Sequence, residues 1–304
     1  TAKILYTIYI VLTAAEAVAL QIAGMSWFDA VNHAFTTMAT GGFSVRNTSI
    51  ASYQSDAITW VIIVFTILAG INFSLLYAVA IGRIKDALRS EELRWYLLIL
   101  AVSIGLICIN LHLEMGRGWY DSITDAAFQA TTIMSTTGYA TRDFTLWPTF
   151  SRCILVLLMY IGGCAGSTAG GMKVSRLMLQ VKSLRRELDH IIHPNRVSVI
   201  TIDGQSVDEK ALTSAHMFQV AYLLVLMVGT LVVSLDVLGF TESFVAALTC
   251  VSNVGPGLGA LGPMANFAPL SWFSKLVLAV IMLMGRLELM PLLVLLSPST
   301  WRNK

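Results

Sequence analysis

The sequence predicts an all-α integral membrane protein built from repeated units of a span, a short re-entrant helix and a second span. Three observations lead there: six long apolar stretches, a composition of 56% hydrophobic and only 12% charged residues in 304, and a pattern that recurs three times along the chain. A soluble domain carries roughly 45–50% apolar and about 25% charged residues, so half the usual charge is missing. That balance excludes a disordered tail, a nucleic-acid module and an ordinary cytosolic enzyme. The net charge of +2 gives no field to gather a polyanion, and no nucleic-acid partner is expected.

A helix that crosses the hydrocarbon core needs about 20 mostly apolar residues. Stretches at 4–24, 56–82, 95–113, 150–190, 214–238 and 270–297 qualify. The first is too long, and too weakly basic at its start, for a signal peptide. Residue 1 is Thr, not Met, so further chain upstream is expected. Fourteen basic residues fall on one side of these spans: Lys3; Arg83, Lys85, Arg89 and Arg94; the seven from Lys173 to Lys210; and Arg302 with Lys304. The opposite side holds Arg46, Arg117, Arg142 and Arg152. Excess positive charge marks the cytoplasmic face, which puts both ends of this segment there. Cys108, Cys153, Cys164 and Cys250 lie in apolar or Gly-rich contexts without a CxxC pair. They read as reduced packing residues, not as a disulfide frame or zinc site.

After each odd-numbered span comes a segment too short and too polar to cross. Aligned on Gly42, Gly138 and Gly255, these segments share an acid 13 residues upstream (Asp29, Asp125, Glu242) and an alanine eight upstream (Ala34, Ala130, Ala247). They also share a threonine six upstream (Thr36, Thr132, Thr249) and a small residue three upstream (Ala39, Ser135, Ser252). The glycines are 96 and 117 residues apart, and a polar insertion around 190–210 accounts for the longer interval. Repetition of a whole unit sets the architecture: units at 1–89, 90–195 and 210–304, with a linker at 196–209. Irregular backbone cannot face lipid, so the turns after the short helices must be buried or must line a watery path. The acid complements the positive end of each short helix's dipole, and the negative end then faces the turn, where it favours a cation. Plain capping of a buried hairpin is the alternative.

The turns read Thr40-Gly41-Gly42-Phe43-Ser44, Thr136-Thr137-Gly138-Tyr139-Ala140 and Asn253-Val254-Gly255-Pro256-Gly257. A filter for a dehydrated monovalent cation needs rings of carbonyl oxygens in place of the hydration shell. Glycine permits the unusual φ values that such turns require. Thr40, Gly41, Gly42, Thr136, Thr137, Gly138, Asn253, Val254 and Gly255 are therefore the candidate cation-binding residues. Phe43 and Tyr139 are expected to brace the turns from behind. No ring of carboxylates appears, which argues against a divalent-cation or anion pore.

The fourth span opens as a helix and then meets the run Gly162-Gly163-Cys164-Ala165-Gly166-Ser167-Thr168-Ala169-Gly170-Gly171-Met172-Lys173. Each interior glycine costs roughly 1 kcal/mol against alanine, so this cluster at membrane depth is no packing accident. A phosphate-binding loop is excluded, because Met172 precedes Lys173 and no strand leads in. Together with Thr-Thr-Gly-Tyr-Ala and Gly285-Arg286-Leu287-Glu288, this run resembles the Trk/Ktr/HKT superfamily of potassium transporters, and most of all the bacterial TrkH/TrkG membrane subunit. The resemblance covers essentially the whole chain. It implies four repeats around a pseudo-fourfold cation pore, the first of them absent here, and K⁺ as the ion, with Rb⁺ or Na⁺ taken less well. It also implies a homodimer in the bacterial inner membrane whose cytosolic face docks a TrkA-like nucleotide-binding regulatory ring.

The glycine run reads as a movable intramembrane loop below the filter, with Gly162, Gly163, Gly166, Ser167, Thr168, Gly170 and Gly171 as its gate residues; a static hinge is the alternative. Arg286 and Glu288 lie mid-span in the last helix, too far apart in angle to pair with each other. A charge at that depth faces a cavity or a partner. Arg286 is expected to face the path, bond carbonyls of the 162–172 loop and oppose cation passage; an ion pair with Glu16 or another acid is the alternative. Asn72, after Gly70, is expected to line the path, or to bond between helices. His33 reads as a packing histidine, and His190 and His193 lack a metal-site pattern. No HExxH or GxSxG signature is present, and no enzyme is expected.

On the cytosolic side, Lys173, Arg176, Lys182, Arg185 and Arg186 form a basic helical stretch suited to anionic headgroups. Two short β-prone runs around Asp203-Gly204 signal a hairpin, a surface suited to a regulatory partner. The rival to a pore is an alternating-access transporter of a small solute. In that class repeats are often inverted and helix N-termini face an anionic substrate, whereas here the repeats run parallel.

Overall fold

The computed structural model describes residues 2–195, 198–236, 238–296 and 298–301. The chain is helical, in three successive assemblies of similar plan. The first holds α1 (Ala2–Ile22), the short α2 (Trp27–Met38), α3 (Asp56–Ala69) and α4 (Phe73–Ala80), followed by a connector, α5 (Ile84–Arg89). The second holds α6 (Glu91–Met115), α7 (Trp119–Met134), α8 (Thr149–Ile161) and α9 (Val174–Ile192). A two-stranded hairpin, β1 (Thr201–Ile202) and β2 (Gln205–Ser206), leads to the third: α10 (Glu209–Val233), α11 (Phe240–Ser252), α12 (Trp272–Arg286) and α13 (Met290–Leu296).

α1, α6 and α10 are long and apolar enough to cross a membrane unbroken. Only a third of the most apolar window of α6 and of α10 is buried within the chain. Leu98 and Leu113 on α6, and Leu224 and Leu231 on α10, are exposed. An apolar helix with so much open surface is solvated by lipid, not water. The short helices α2, α7 and α11 instead lie against the protein, and α7 is buried from Thr124 to Met134. Local capping starts several of these helices: Ser26 Oγ accepts from Asp29 N (3.2 Å), and Ser55 Oγ accepts from Ile58 N (3.4 Å).

The second and last spans depart from expectation. The second does not run unbroken over 56–82: α3 and α4 meet at 105°. Gly70 closes α3, and the Asn72 carbonyl Oδ1 accepts from Ser74 N (2.8 Å), starting a new helix. The last span stops being helical after Arg286. Glu288 (φ 60°) and Leu289 (φ 56°) turn the chain before α13, so Arg286 and Glu288 do not share one continuous helix. The fourth is broken where the glycines predict. The second span of every assembly is thus interrupted, although only one interruption is glycine-rich.

Between assemblies the same packing recurs: α3 lies on α7, and α8 on α11. The hairpin forms on its Asp-Gly turn, with Thr201 opposite Ser206 and Ile202 opposite Gln205, and with positive φ at Asp203 and Gly204. Residues 196 and 197 at the edge of the expected linker lie outside the described residues. All four cysteines are free; Cys153 is exposed and the other three are buried.

Candidate functional site

The three turns share one backbone solution. Thr40, Thr136 and Asn253, each two residues before the aligned glycine, have φ of 49°, 58° and 58°. Gly42, Gly138 and Gly255 follow at 66°, 84° and 108°. The same backbone hydrogen bond ends all three helices. The carbonyls of Thr36, Thr132 and Thr249 accept from the amides of Gly41 (2.7 Å), Thr137 (2.9 Å) and Val254 (2.9 Å), winding each helix end into its turn. A β-carbon on Gly42 would stand 1.8 Å from the Thr137 carbonyl oxygen, and one on Gly138 would stand 2.0 Å from that of Val254. Each turn therefore packs backbone-to-backbone on the next, which only glycine allows. Gly255, the last in this order, has no heavy atom within 4 Å of its would-be Cβ.

These turns border one cavity of about 1080 Å³. Thr40, Gly41, Gly42, Thr137, Gly138, Asn253, Val254 and Gly255 all line it, and so does Arg286. Among the described residues, the charged ones that line it are Arg46 and Arg286, and none is a carboxylate. The C-terminal, electronegative ends of α2, α7 and α11 run into the turns around it. Thr136 is not in the wall; its hydroxyl points the other way and accepts from Gly170 N (2.6 Å). Asn72 does not line the cavity either. It caps α4, and a β-carbon on Gly166 would lie 3.1 Å from its Oδ1.

The glycine-rich loop is hydrogen-bonded at the turns of the first two assemblies and packs against that of the third. Thr168 Oγ1 donates to Met38 O at the end of α2 (2.9 Å), and Thr40 Oγ1 donates to Thr168 O (2.8 Å). Gly170 N is held by Thr136, and a β-carbon on Gly170 would meet Ser252 O at 2.2 Å. Gly162 and Gly171 cross closely enough that no side chain fits at either. Gly163 accepts from Val174 N (2.9 Å), and Ser167 Oγ donates to Cys164 O (2.6 Å) within the loop. Arg286 Nη1 donates to Thr168 O (3.0 Å). Its alternative partner, Glu16, is buried with no hydrogen bond to either oxygen. Glu288 instead pairs with Arg176 (2.7 Å).

A family model described as a cation transport protein, TrkH, matches residues 1–303. The chain belongs to the TrkH family. It is 37% identical over 308 residues to the Trk system potassium uptake protein TrkH of Salmonella typhimurium, and 38% identical over 311 residues to that of Vibrio parahaemolyticus. To TrkG of Escherichia coli it is 32% identical over 307 residues. The whole chain takes part in these matches but spans only 62–63% of the relatives' own length. The crystal structure of the potassium transporter TrkH from Vibrio parahaemolyticus superposes with a TM-score of 0.92 at 37% identity, over 99% of this chain and 65% of that one. TrkH proteins form a transport family, not an enzyme family.

In this TrkH-family chain the aligned acids do more than face a helix dipole. Asp29 binds Arg46 (3.2 Å) and Tyr53 Oη (2.8 Å); Asp125 pairs with Arg117 and with Arg142 (3.5 Å); Glu242 accepts from Ala260 N (3.0 Å). Each acid thereby ties the segment leaving the turn back to its own short helix. Asp29 stands in the first turn of α2. Burial pushes its carboxyl up, but hydrogen bonds from Tyr53 and Arg46 and the Arg46 charge outweigh this and leave it below its ordinary value. The sequence carried this signal: Arg46 and Arg142 both stand four residues after the aligned glycine.

Tyr139 is fully buried behind the first turn, its hydroxyl bonded to Thr36 (2.5 Å) and to His33 O (3.2 Å). Phe43, its counterpart, is not buried: it is 77% exposed and lines the cavity, with its ring beside Gly41 of its own turn. His33 is satisfied by Asp29 O (2.7 Å) and Ser44 Oγ (3.0 Å), as a packing histidine should be.

Proposed function

We propose that this chain is part of a potassium uptake protein in which K⁺ moves down its electrochemical gradient through the cavity between the three turns. The observation that carries this is the triplicate turn: the same left-handed pair of residues, three times, around one cavity free of carboxylates. Backbone carbonyls there replace the hydration shell of a monovalent cation, and K⁺ is preferred over Na⁺, with Rb⁺ as a surrogate. The open side of Gly255 and the exposed Phe28 and Phe35 on α2 leave room for a fourth wall, supplied by sequence outside this chain.

The loop over 162–172 gates the path from below. Arg286 holds it there through Thr168 O and adds a positive barrier to the ion's route. The protein sits in the bacterial inner membrane with both ends of this segment in the cytoplasm, as the distribution of Lys and Arg supports. It acts as a homodimer, and a TrkA-like nucleotide-binding ring docks on the cytosolic face near the hairpin. The similar proteins from Salmonella and Vibrio carry the description of Trk system components, which supports a regulatory partner.

The test is ⁸⁶Rb⁺ uptake into liposomes holding the full-length protein, with K⁺ and Na⁺ as competitors and Arg286→Gln alongside. K⁺ should block uptake far better than Na⁺, and the variant should carry more flux. Folded protein that passes no Rb⁺, even as Arg286→Gln with the cytosolic partner supplied, would return the reading to a solute transporter.

A further inference from the structure

The N-terminal turn of α6 presents two adjacent carboxylates that face different ways. Glu92 Oε1 accepts from Ala165 N (2.7 Å), inside the intramembrane loop, and from Ser175 N (3.2 Å), in the first turn of α9. One oxygen thus clasps the loop and the helix that leaves it, and a carboxylate at the start of α9 also meets the positive end of that helix. Nothing within the loop replaces this clasp from the cytosolic side: Lys173 Nζ turns inward onto Ala169 O.

Glu91 looks outward. Its carboxylate pairs with Lys182 of α9, whose Nζ also donates to Thr201 O of β1 (2.6 Å). Its amide donates to Asp203 Oδ1 at the hairpin turn (2.6 Å), so a residue 112 positions away caps α6. The hairpin tip, Glu91, Glu92, the loop and Thr168 are therefore joined by direct hydrogen bonds and one turn of rigid helix. From Thr168 O the contacts continue to Thr40 and Arg286 at the cavity. A crevice of about 370 Å³ between Arg89, Arg94 and Asp203 gives the hairpin tip space to shift.

We propose that Glu91 and Glu92 couple the cytosolic hairpin to the intramembrane loop, with Glu92 as the positioning residue that keeps the loop seated under the turns. This rests on the reading of the loop as the gate. When the hairpin is drawn away from α6, the cap on Glu91 is lost, α6 shifts at its N-terminus, and the clasp on Ala165 and Ser175 loosens. The hairpin then serves as the handle by which a cytosolic protein opens the path.

The experiment uses full-length protein in liposomes and compares ⁸⁶Rb⁺ flux per folded protein for wild type, Glu92→Ala, Asp203→Ala, Asp203→Asn and the Glu92→Ala/Asp203→Ala double variant. Glu92→Ala removes the oxygen that accepts from Ala165 and Ser175, and it and Asp203→Ala should each raise flux severalfold without changing K⁺-over-Na⁺ competition. Asp203→Asn keeps the acceptor oxygen and should behave as wild type. The double variant should match the larger single effect, since both act along one route. Unchanged flux in Glu92→Ala, or single effects that multiply in the double variant, overturns the coupling. Should Glu92→Ala fail to fold, the contrast between Asp203→Ala and Asp203→Asn decides: equal flux in those two overturns it as well. Flux in Arg286→Gln with none of these changes refutes the coupling alone, whereas no flux in any variant refutes the gate and pore beneath it.

Discussion

Replacing Gly138 with serine tests the carbonyl path most directly. At φ 84° a side chain is strained in any space, by roughly 1–2 kcal/mol. Here there is no space: the new Cβ would stand 2.0 Å from Val254 O and 3.0 Å from Pro256 Cδ. Relief to ordinary contact moves the Val254 carbonyl by about 1 Å or more, away from the cavity it borders. If that oxygen helps hold K⁺ about as strongly as a hydrogen bond to a charged group, roughly 1.5–3 kcal/mol is at stake. Lost from K⁺ binding, that lowers the preference over Na⁺ by about 10- to 100-fold. The assay is ⁸⁶Rb⁺ uptake with graded K⁺ or Na⁺ as competitor, normalised to folded protein. A Gly138→Ser protein that folds and keeps the wild-type ratio of competitor potencies would refute the assignment of this turn to the ion path.

Four further outcomes follow from the same geometry. Arg286→Gln should raise Rb⁺ flux, read in the same liposomes, because Thr168 O loses a charged donor and the path loses a positive charge. Gly170→Ala should raise flux and lower Tm together, since a Cβ 2.2 Å from Ser252 O forces the loop off its seat. Tyr139→Phe should cost about 1 kcal/mol or more of stability, seen as a lower Tm in detergent, by leaving its buried hydroxyl partners short of a bond. Asp29→Asn should lower Tm at neutral pH. Because the native carboxyl titrates below its ordinary value of 3.8, its contribution is complete above that value and fades as pH falls through the depressed one, so the gap to wild type should close in acid.

The parts of the fold that were legible in the sequence rest on local chemistry. Apolar length revealed α1, α6 and α10, the aligned columns revealed the turns, and Asp203-Gly204 revealed the hairpin. The breaks in the second and last spans escaped because neither carries a glycine cluster. Gly70 is a single residue, and Leu287-Glu288-Leu289 reads as good helix, yet Glu288 and Leu289 take positive φ and Glu288 pairs with Arg176. Asn72 was assigned to the path by its depth along the chain, and Thr136 by its place in the aligned turn. Neither gives the direction of a side chain, and both side chains turn toward the loop. Glu92 drew no notice, since a carboxylate at a helix start is ordinary until its partners from a distant loop are known.

The interruptions make physical sense together and not singly. Breaking a helix at membrane depth strands amides and carbonyls that lipid cannot satisfy. The first break and the loop answer each other: Cys164 N donates to Gly70 O (2.9 Å), and Phe73 N donates to Gly166 O (3.1 Å). At the third, Arg286 brings its donors to Thr168 O, which also takes the Thr40 hydroxyl. The loop is stable there because three interrupted spans supply what it lacks. Moving it uncovers those groups all at once, and only water or a cation in the cavity can satisfy the carbonyls left behind. On the proposed reading of the loop as a gate, seating of the loop and hydration of the cavity therefore oppose each other, and the bonds that hold the loop in place are the ones that opening must replace with water or a cation.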